Sequence, residues 1–495
     1  MKTLSRRDFI KATSLTAASA GILPALAGCA STRSTPKAAG VRANEEIRFA
    51  VVGFNGRGRD HIKSLDELRA QGEKVRVTAL CDVDRHVLDR AVKEYADKGE
   101  PVAGHQDIRQ LLEDANVDAI SIATPNHWHA LATIWALQAG KDVYVEKPVS
   151  HEVWEGRQMV IAARKYGRIV QTGTQSRSSR TGIATAVEWV RAGNLGKILI
   201  SRGLCYKRRG SIGKVDAPQP IPPFIDYNLW CGPAPEEPLM RKRLHYDWHW
   251  VWPTGNGDLG NQGIHEMDVA RWFLGEMELS PRIAAGGGRL GYVDDGTTPN
   301  TLILFHDYAK APLLYEVRGL PQRTGTEKMD NFKGASIGII VQCEGGYVRV
   351  PSYNEAIAFD KDGKEIQRWK GSESHFANFI KAVRSRKYTD LHADILEGHL
   401  SSALCHTGNI SYRLGQKASP QEIREAIKAE PDAEDTFQRM LGHLQANEID
   451  LAATPLTLGP VLKMDPKKER FLGNAAANEL LKRHYRPPFV VPAKV

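Results

Sequence analysis

From Ile47 to about Gln175, apolar runs and amphipathic stretches alternate in a way that predicts strands and helices in turn. Ile47-Arg48-Phe49-Ala50-Val51-Val52 reads as a buried strand, and it runs into the glycine-rich turn Gly53-Phe54-Asn55-Gly56-Arg57-Gly58. A helix is expected from about Arg59 to Arg69, with Ile62, Leu65 and Leu68 on one face. The next strand, Val75–Leu80, ends at Cys81-Asp82. Further strands are expected at Asp118–Thr124, Asp142–Val145 and Arg168–Gln171, with helices through Ala130–Ala136 and around Trp154–Tyr166. This alternation implies a parallel, doubly wound sheet with ligands at the carboxyl ends of its strands.

Beyond Gln175 the alternation loosens. A helix near Thr185–Ala192 precedes a strand at Ile198–Tyr206. Strand-like runs follow at Leu302–Phe305, Leu313–Val317, Ile337–Val341, Tyr347–Val350 and Ala356–Phe359, the last entering a Lys361-Asp362-Gly363 hairpin turn. The expected class is α/β, with a doubly wound domain over 45–175 and an α+β domain over 176–415 built on an open, largely antiparallel sheet. Residues 416–495 are expected as an extension of linker and helix, with helices at Pro420–Ile427 and Phe471–Leu481.

Composition adds limits. The chain has 495 residues, of which 42% are hydrophobic and 25% charged, and this excludes a disordered or multi-span membrane protein. The formal charge is +9, and residues 1–28 hold four basic residues and one acidic, leaving +6 for the rest. That excess over so long a chain does not point to nucleic acid as a partner. The six cysteines show no CxxC pair and no metal-ligand spacing, so no metal site is expected.

The amino terminus reads as an address label. Ser5-Arg6-Arg7-Asp8-Phe9-Ile10-Lys11 precedes an uncharged stretch, Ala12–Gly28, too short and too rich in Ala, Ser and Thr for a spanning helix. Residues 1–28 resemble a twin-arginine signal peptide, whose export machinery moves folded proteins. Leu26-Ala27-Gly28-Cys29 is similar to a lipobox, which would leave Cys29 lipidated and the protein exported, periplasmic and membrane-bound only through that lipid. Residues 29–44 read as a polar tether.

The first turn carries recognisable chemistry. Gly53, Gly56 and Gly58 let a backbone approach a pyrophosphate, with Asn55 at the middle position of the motif and Arg57 beside it. Asp82, at the end of the second strand, can accept from adenosine-ribose hydroxyls, which favours NAD, while Arg57 or Arg85 nearby keeps NADP open. The later strand ends carry Thr124-Pro125-Asn126-His127-Trp128-His129, Glu146-Lys147-Pro148 and Thr172-Gly173-Thr174-Gln175.

The sequence TPNHWHA, then a helix, then a strand ending in EKP, resembles the Gfo/Idh/MocA oxidoreductases over nearly all of residues 45–495. The resemblance implies a Rossmann domain followed by an α/β domain whose open sheet often supports oligomers, hence a homodimer or homotetramer. It implies that Thr124, Pro125 and Asn126 border the nicotinamide ribose, with His129, Gln175, Glu146 and Lys147 in the cofactor site. It places the Lys147 ammonium on a substrate hydroxyl, and a buried lysine beside an oxidised nicotinamide has the depressed pKa that proton handling needs.

The second half contributes His245-Tyr246-Asp247-Trp248-His249-Trp250-Val251-Trp252 and then Asp258-Leu259-Gly260-Asn261-Gln262-Gly263-Ile264-His265-Glu266-Met267-Asp268. Tryptophans at period two either turn one aromatic face toward a sugar or pack a sheet face. Asn261 and His265, four apart, address one point if a helix begins there. The family places Asp and His at these positions, with the His as general acid/base; here Asn261 replaces the aspartate and cannot stabilise an imidazolium. Tyr246, His249, Asp258 and Asp268 therefore share the expected catalytic and substrate-binding set with Trp248 and Trp250. Lys207-Arg208-Arg209 and Arg241-Lys242-Arg243 either line an entrance for acidic sugars or form solvated surface. His375, His399 and His406 are expected in core or capping roles.

Export and a nicotinamide cofactor together imply a tightly bound dinucleotide, regenerated within each turnover or by a second substrate. The leading expectation is oxidation of a sugar hydroxyl at C3. The alternatives are redox-neutral glycoside cleavage, as in the similar glycoside hydrolase family 109, and a non-catalytic sugar-binding lipoprotein.

Overall fold

A computed structural model describes residues 45–428 and 430–495; the signal-like block, Cys29 and the whole of the tether lie outside the described residues. The first sheet contains β1 (Ile47–Val52), β2 (Val75–Cys81), β3 (Ala103–His105), β4 (Ala119–Ile122), β5 (Asp142–Val145) and β6 (Val170–Thr172). Its order is β3-β2-β1-β4-β5-β6, and every pairing is parallel. The doubly wound reading is thus observed, with one short strand, β3, added between the second and third expected strands. Alternation along β1 explains the burial on both faces. Phe49 and Val51 pack with Phe379 and Ile380, whereas Ala50 and Val52 pack with Leu131 and Ile134.

The second sheet has twelve strands. Its central path includes β7 (Ile198–Tyr206), β8 (Arg282–Gly288), β9 (Thr301–His306), β10 (Leu313–Arg318), β11 (Ile337–Cys343), β12 (Gly346–Ser352), β13 (Glu355–Asp360) and β14 (Glu365–Lys370). β7 and β10 run parallel, and the remaining pairings are antiparallel. One face carries the helices Ile264–Leu274 and Ile395–Arg413, with Met267, Ala270, Leu400 and Leu404 in its core. The other face, expected to be open, is partly covered by the chain itself. Arg202, Leu204 and Tyr206 are buried there, and both Arg202 and Arg439 stack on Phe332.

The 416–495 stretch is not only linker and helix. It supplies β15 (Gln416–Ala418) and β16 (Leu456–Leu458) to the second sheet, and the helix Pro431–Ala446 lies over the covered face. The amphipathic run Phe471–Leu481 is helical only at Ala475–Glu479. The final residues return to the first domain, where Phe489, Val491 and Val495 join the core around Trp128.

Candidate functional site

At the carboxyl end of β1 the backbone is stripped for close approach. Gly53 has φ +75°, and a Cβ there would stand 2.9 Å from the Thr124 backbone. A Cβ on Gly58 would meet the Gly53 carbonyl oxygen at 2.2 Å. The helix Arg57–Ala70 begins directly afterwards with no side chain capping its N-terminus, so its first N–H groups suit an anion. Asp82 accepts hydrogen bonds from the backbone N–H groups of Phe54 and Asp84, both at 3.0 Å. Burial raises its pKa, which increases the benefit of a hydroxyl partner.

These groups wall a cavity of about 480 Å³. All the residues assigned to the cofactor line it except Gly58, which acts from beneath the turn, and Gln175. Thr124 Oγ1 is buried here without a partner. Asn126 donates its amide to Asn256 Oδ1 at 3.0 Å. His129 sits between the carbonyls of Pro148, at 2.6 Å, and Thr124, at 2.8 Å. Burial lowers its pKa, and the resulting neutral ring can donate to only one of them.

Glu146 and Lys147 follow β5. Burial opposes ionisation of Glu146, but His61 at 3.0 Å and Arg57 at 2.9 Å outweigh it and hold the carboxyl well below its usual range. Gly173 leaves room for that carboxylate, since a Cβ would lie 2.8 Å from Glu146 Oε2. Burial also lowers the pKa of Lys147, whose ammonium donates to the Asn261 carbonyl at 2.6 Å.

A second cavity of about 440 Å³ adjoins the first, and the two share Arg57, Glu146, Lys147, Tyr246 and Asn261 as walls. Asn261 lies in a widened helical turn, Leu259–Gly263, that leads into the helix Ile264–Leu274 carrying His265. Both residues therefore line this cavity, together with Gln175. His265 Nδ1 is buried without a partner, and the ring lies 4.8 Å from that of Tyr353. Burial, then the Lys147 charge, hold its pKa well below the ordinary value, so the imidazole is neutral. Tyr246 is 46% exposed at the mouth, and its hydroxyl accepts from Arg209 at 3.2 Å.

Three expectations need correction. Leu244–Asp247 and Trp248–Trp250 are consecutive helical turns, so the tryptophans do not alternate across a strand. Trp248 and His249 line the larger cavity with rings stacked at 3.6 Å, whereas Trp250 is buried beneath the Arg209 guanidinium. Asp258 is held bidentately by Arg209 at 2.7 and 2.9 Å. Asp268 is completely buried, held by Arg177 at 2.8 Å through each oxygen and by Ser401 at 2.6 Å. Neither carboxylate lines either of these two cavities; each is tied to an arginine within the fold. His375, His399 and His406 are buried as expected.

The structure also brings in a segment of which only the end, from Arg241 to His249, is singled out in the sequence. Residues 221–249 cross to the first domain, where Leu229, Trp230 and His245 line the larger cavity. The Phe224 ring stacks on His86 at 3.8 Å, the Arg85 N–H donates to the Phe224 carbonyl at 3.0 Å, and His245 donates to Asp84 at 2.9 Å. Trp128 Nε1 donates to the carbonyls of Leu229 and Trp230 at 3.0 and 3.1 Å. Gln262 and Tyr353, also unforeseen, join the smaller cavity, and Lys207 and Arg209 prove to line it.

Residues 47–174 match an oxidoreductase family with an NAD-binding Rossmann fold, and residues 190–285 match the C-terminal alpha/beta domain of the same family, Gfo/Idh/MocA. A glycosyl hydrolase family 109 protein from Shewanella sp. strain ANA-3 is 36% identical over 174 residues, covering 31% of this chain and 36% of that protein. The chain thus aligns with about a third of that relative's length. The fold is similar to that of the WlbA dehydrogenase from Bordetella pertussis, solved with NADH and UDP-GlcNAcA. The TM-score is 0.52 at 21% identity, covering 73% of this chain and 94% of the other. Levoglucosan dehydrogenase, solved with NADH and L-sorbose, gives 0.53 at 16% identity, covering 73% and 95%.

Proposed function

The chain belongs to the Gfo/Idh/MocA oxidoreductase family, and on that premise we propose that it oxidises a ring hydroxyl, at C3, of a sugar or glycoside with a retained NAD. The observation that carries this reading is the shared wall, where Glu146, Lys147 and Asn261 border both cavities. The larger cavity fits a dinucleotide: the bare turn at Gly53–Gly58 and the uncapped helix N-terminus suit a pyrophosphate, Asp82 suits ribose hydroxyls, and Thr124 Oγ1 awaits a partner. When bound, NAD supplies the hydride acceptor for a two-electron oxidation.

The chain's own groups handle the proton and the orientation. Burial, which lowers the Lys147 pKa, favours the amine form that can take the substrate hydroxyl proton once the entering hydroxyl displaces the Asn261 carbonyl contact. Ionised Glu146 keeps Arg57 and His61 in place beside it. Neutral His265 offers its unpartnered nitrogen to a second hydroxyl, and the Asn261 amide orients the ring.

Redox-neutral glycoside cleavage is the second reading. It is favoured by the family 109 relatives and by the 221–249 segment, whose contacts suit a dinucleotide that stays bound between turnovers. In that scheme oxidation at C3 acidifies the C2–H, the aglycone leaves by elimination, water adds and the hydride returns. Export by the twin-arginine machinery and lipidation at Cys29 belong to the same proposal, since an exported enzyme gains from carrying its cofactor with it.

The test uses protein purified without added cofactor. Simple glycosides are added while the reduced-nicotinamide absorbance is followed, and products are assayed for keto-sugar and freed aglycone. Keto-sugar with the glycoside intact supports oxidation, and aglycone release with cycling absorbance supports cleavage. Protein that neither holds nor takes up a nicotinamide refutes both.

A further inference from the structure

We propose that the smaller cavity selects an anionic sugar, a ring bearing a carboxylate or a sulfate ester, and that Lys207 is its counter-ion. The inference rests on the functional reading above and names a substrate class for it.

The charge on the walls is lopsided. Arg57, Lys147, Lys207 and Arg209 line this cavity, and Glu146 is the one carboxylate among its lining residues. Three of the cations are already engaged. Arg57 is 2.9 Å from Glu146, and Arg209 is bidentate on Asp258 and stacked on Trp250. Lys147 sits at the junction, its ammonium on the Asn261 carbonyl. Among the described residues, the hydrogen bond of Lys207 goes to a neutral amide, Gln262 Oε1 at 3.1 Å, and no ion pair holds it. An ammonium has three donors, and here two remain for a ligand.

Both members of that contact are held in position. Lys207 directly follows β7, and its backbone N–H donates to the Arg318 carbonyl at 3.1 Å, so its stem starts from the sheet. Gln262 spends its amide N–H groups on Glu266 at 3.0 Å and on the Tyr353 hydroxyl at 3.1 Å, which turns its oxygen toward Lys207. Burial lifts the Glu266 carboxyl to about 8, so at neutral pH this nearby acid is mostly protonated and leaves the Lys207 charge uncompensated. A half-enclosed cleft lined by one sign of charge concentrates ligands of the other. An oxyanion on the sugar ring would fill that place.

The probes are glucuronate, glucose 6-sulfate and glucose, titrated by calorimetry into NAD-loaded wild type, Lys207→Gln, Lys207→Arg and Arg208→Gln. Arg208 is a control, because it carries the same charge one residue away and does not line the cavity. In the wild type one or both acidic sugars should bind about ten- to a hundredfold tighter than glucose, the range of a charged hydrogen bond. Which one binds identifies the oxyanion. Lys207→Gln should erase the preference, Lys207→Arg should keep most of it, and Arg208→Gln should leave it unchanged. Equal binding of acidic and neutral sugars by the wild type, or a preference that survives Lys207→Gln, overturns the proposal. Turnover is scored separately. An acid preference without any redox chemistry sinks the functional reading and leaves the subsite standing, and turnover without preference does the reverse.

Discussion

Replacing Phe224 with alanine should speed the loss of bound NAD although Phe224 does not line the cofactor cavity. Its ring stacks on His86 at 3.8 Å and 22°, and that contact helps hold the 221–249 segment against the first domain. Losing an aromatic pair forfeits roughly 0.5–1.5 kcal/mol beyond buried area, and re-exposing half of a phenylalanine adds about 1 kcal/mol. The total of about 2 kcal/mol corresponds to roughly a thirtyfold change in an equilibrium or a rate. If the segment must lift before the dinucleotide leaves, the dissociation rate rises by about that factor. The Arg85–Phe224 backbone bond and the His245–Asp84 contact remain, so the fold should persist. The assay loads both proteins with NAD, removes the excess by gel filtration and follows release with an enzyme that consumes free NAD, while circular dichroism checks the fold. Release at the wild-type rate from a folded variant would show that this segment does not govern retention.

Lys147→Ala should reduce turnover by about 10²- to 10⁴-fold while the purified protein keeps its nicotinamide; wild-type turnover would remove Lys147 from the chemistry. Asp258→Ala strands the Arg209 guanidinium and should lower stability in urea by about 3 kcal/mol, against no change if Asp258 served only a ligand. Glu266 offers a pH test, because its carboxyl is raised from 4.5 to about 8 and so binds its proton more tightly when folded than when unfolded. The wild type therefore loses stability at this site as pH rises through that window, and Glu266→Gln does not. Melting curves should show the variant's relative stability growing between pH 4.5 and pH 8 and level outside it, and a constant difference would refute the assignment.

Much of the scaffold is legible along the chain, because its cause is local. The continuous apolar run Phe49–Val52 marks a strand buried on both faces, and the run Ile198–Tyr206 coincides with β7 from end to end. The turn at Gly53 and the pair Glu146-Lys147 could be read as site residues because parallel strands deliver their carboxyl ends to one crevice. Weak patterns hid other elements. In β14 only Trp369 is buried, and the three residues of β3 are too few for periodicity to register. The charged partners were beyond reach for a different reason. Asp258 and Asp268 look like ligands in a motif full of them, yet their arginines come from 49 and 91 residues away. The tryptophans at 248, 250 and 252 have a strand's spacing, but the chain turns helically at 248–250, which puts Trp248 on the cavity wall and Trp250 in the interior. Local pattern selects backbone states through sterics and burial within a few residues. Which cation neutralises which carboxylate, and which ammonium is left facing a cavity, is decided only when distant segments pack together.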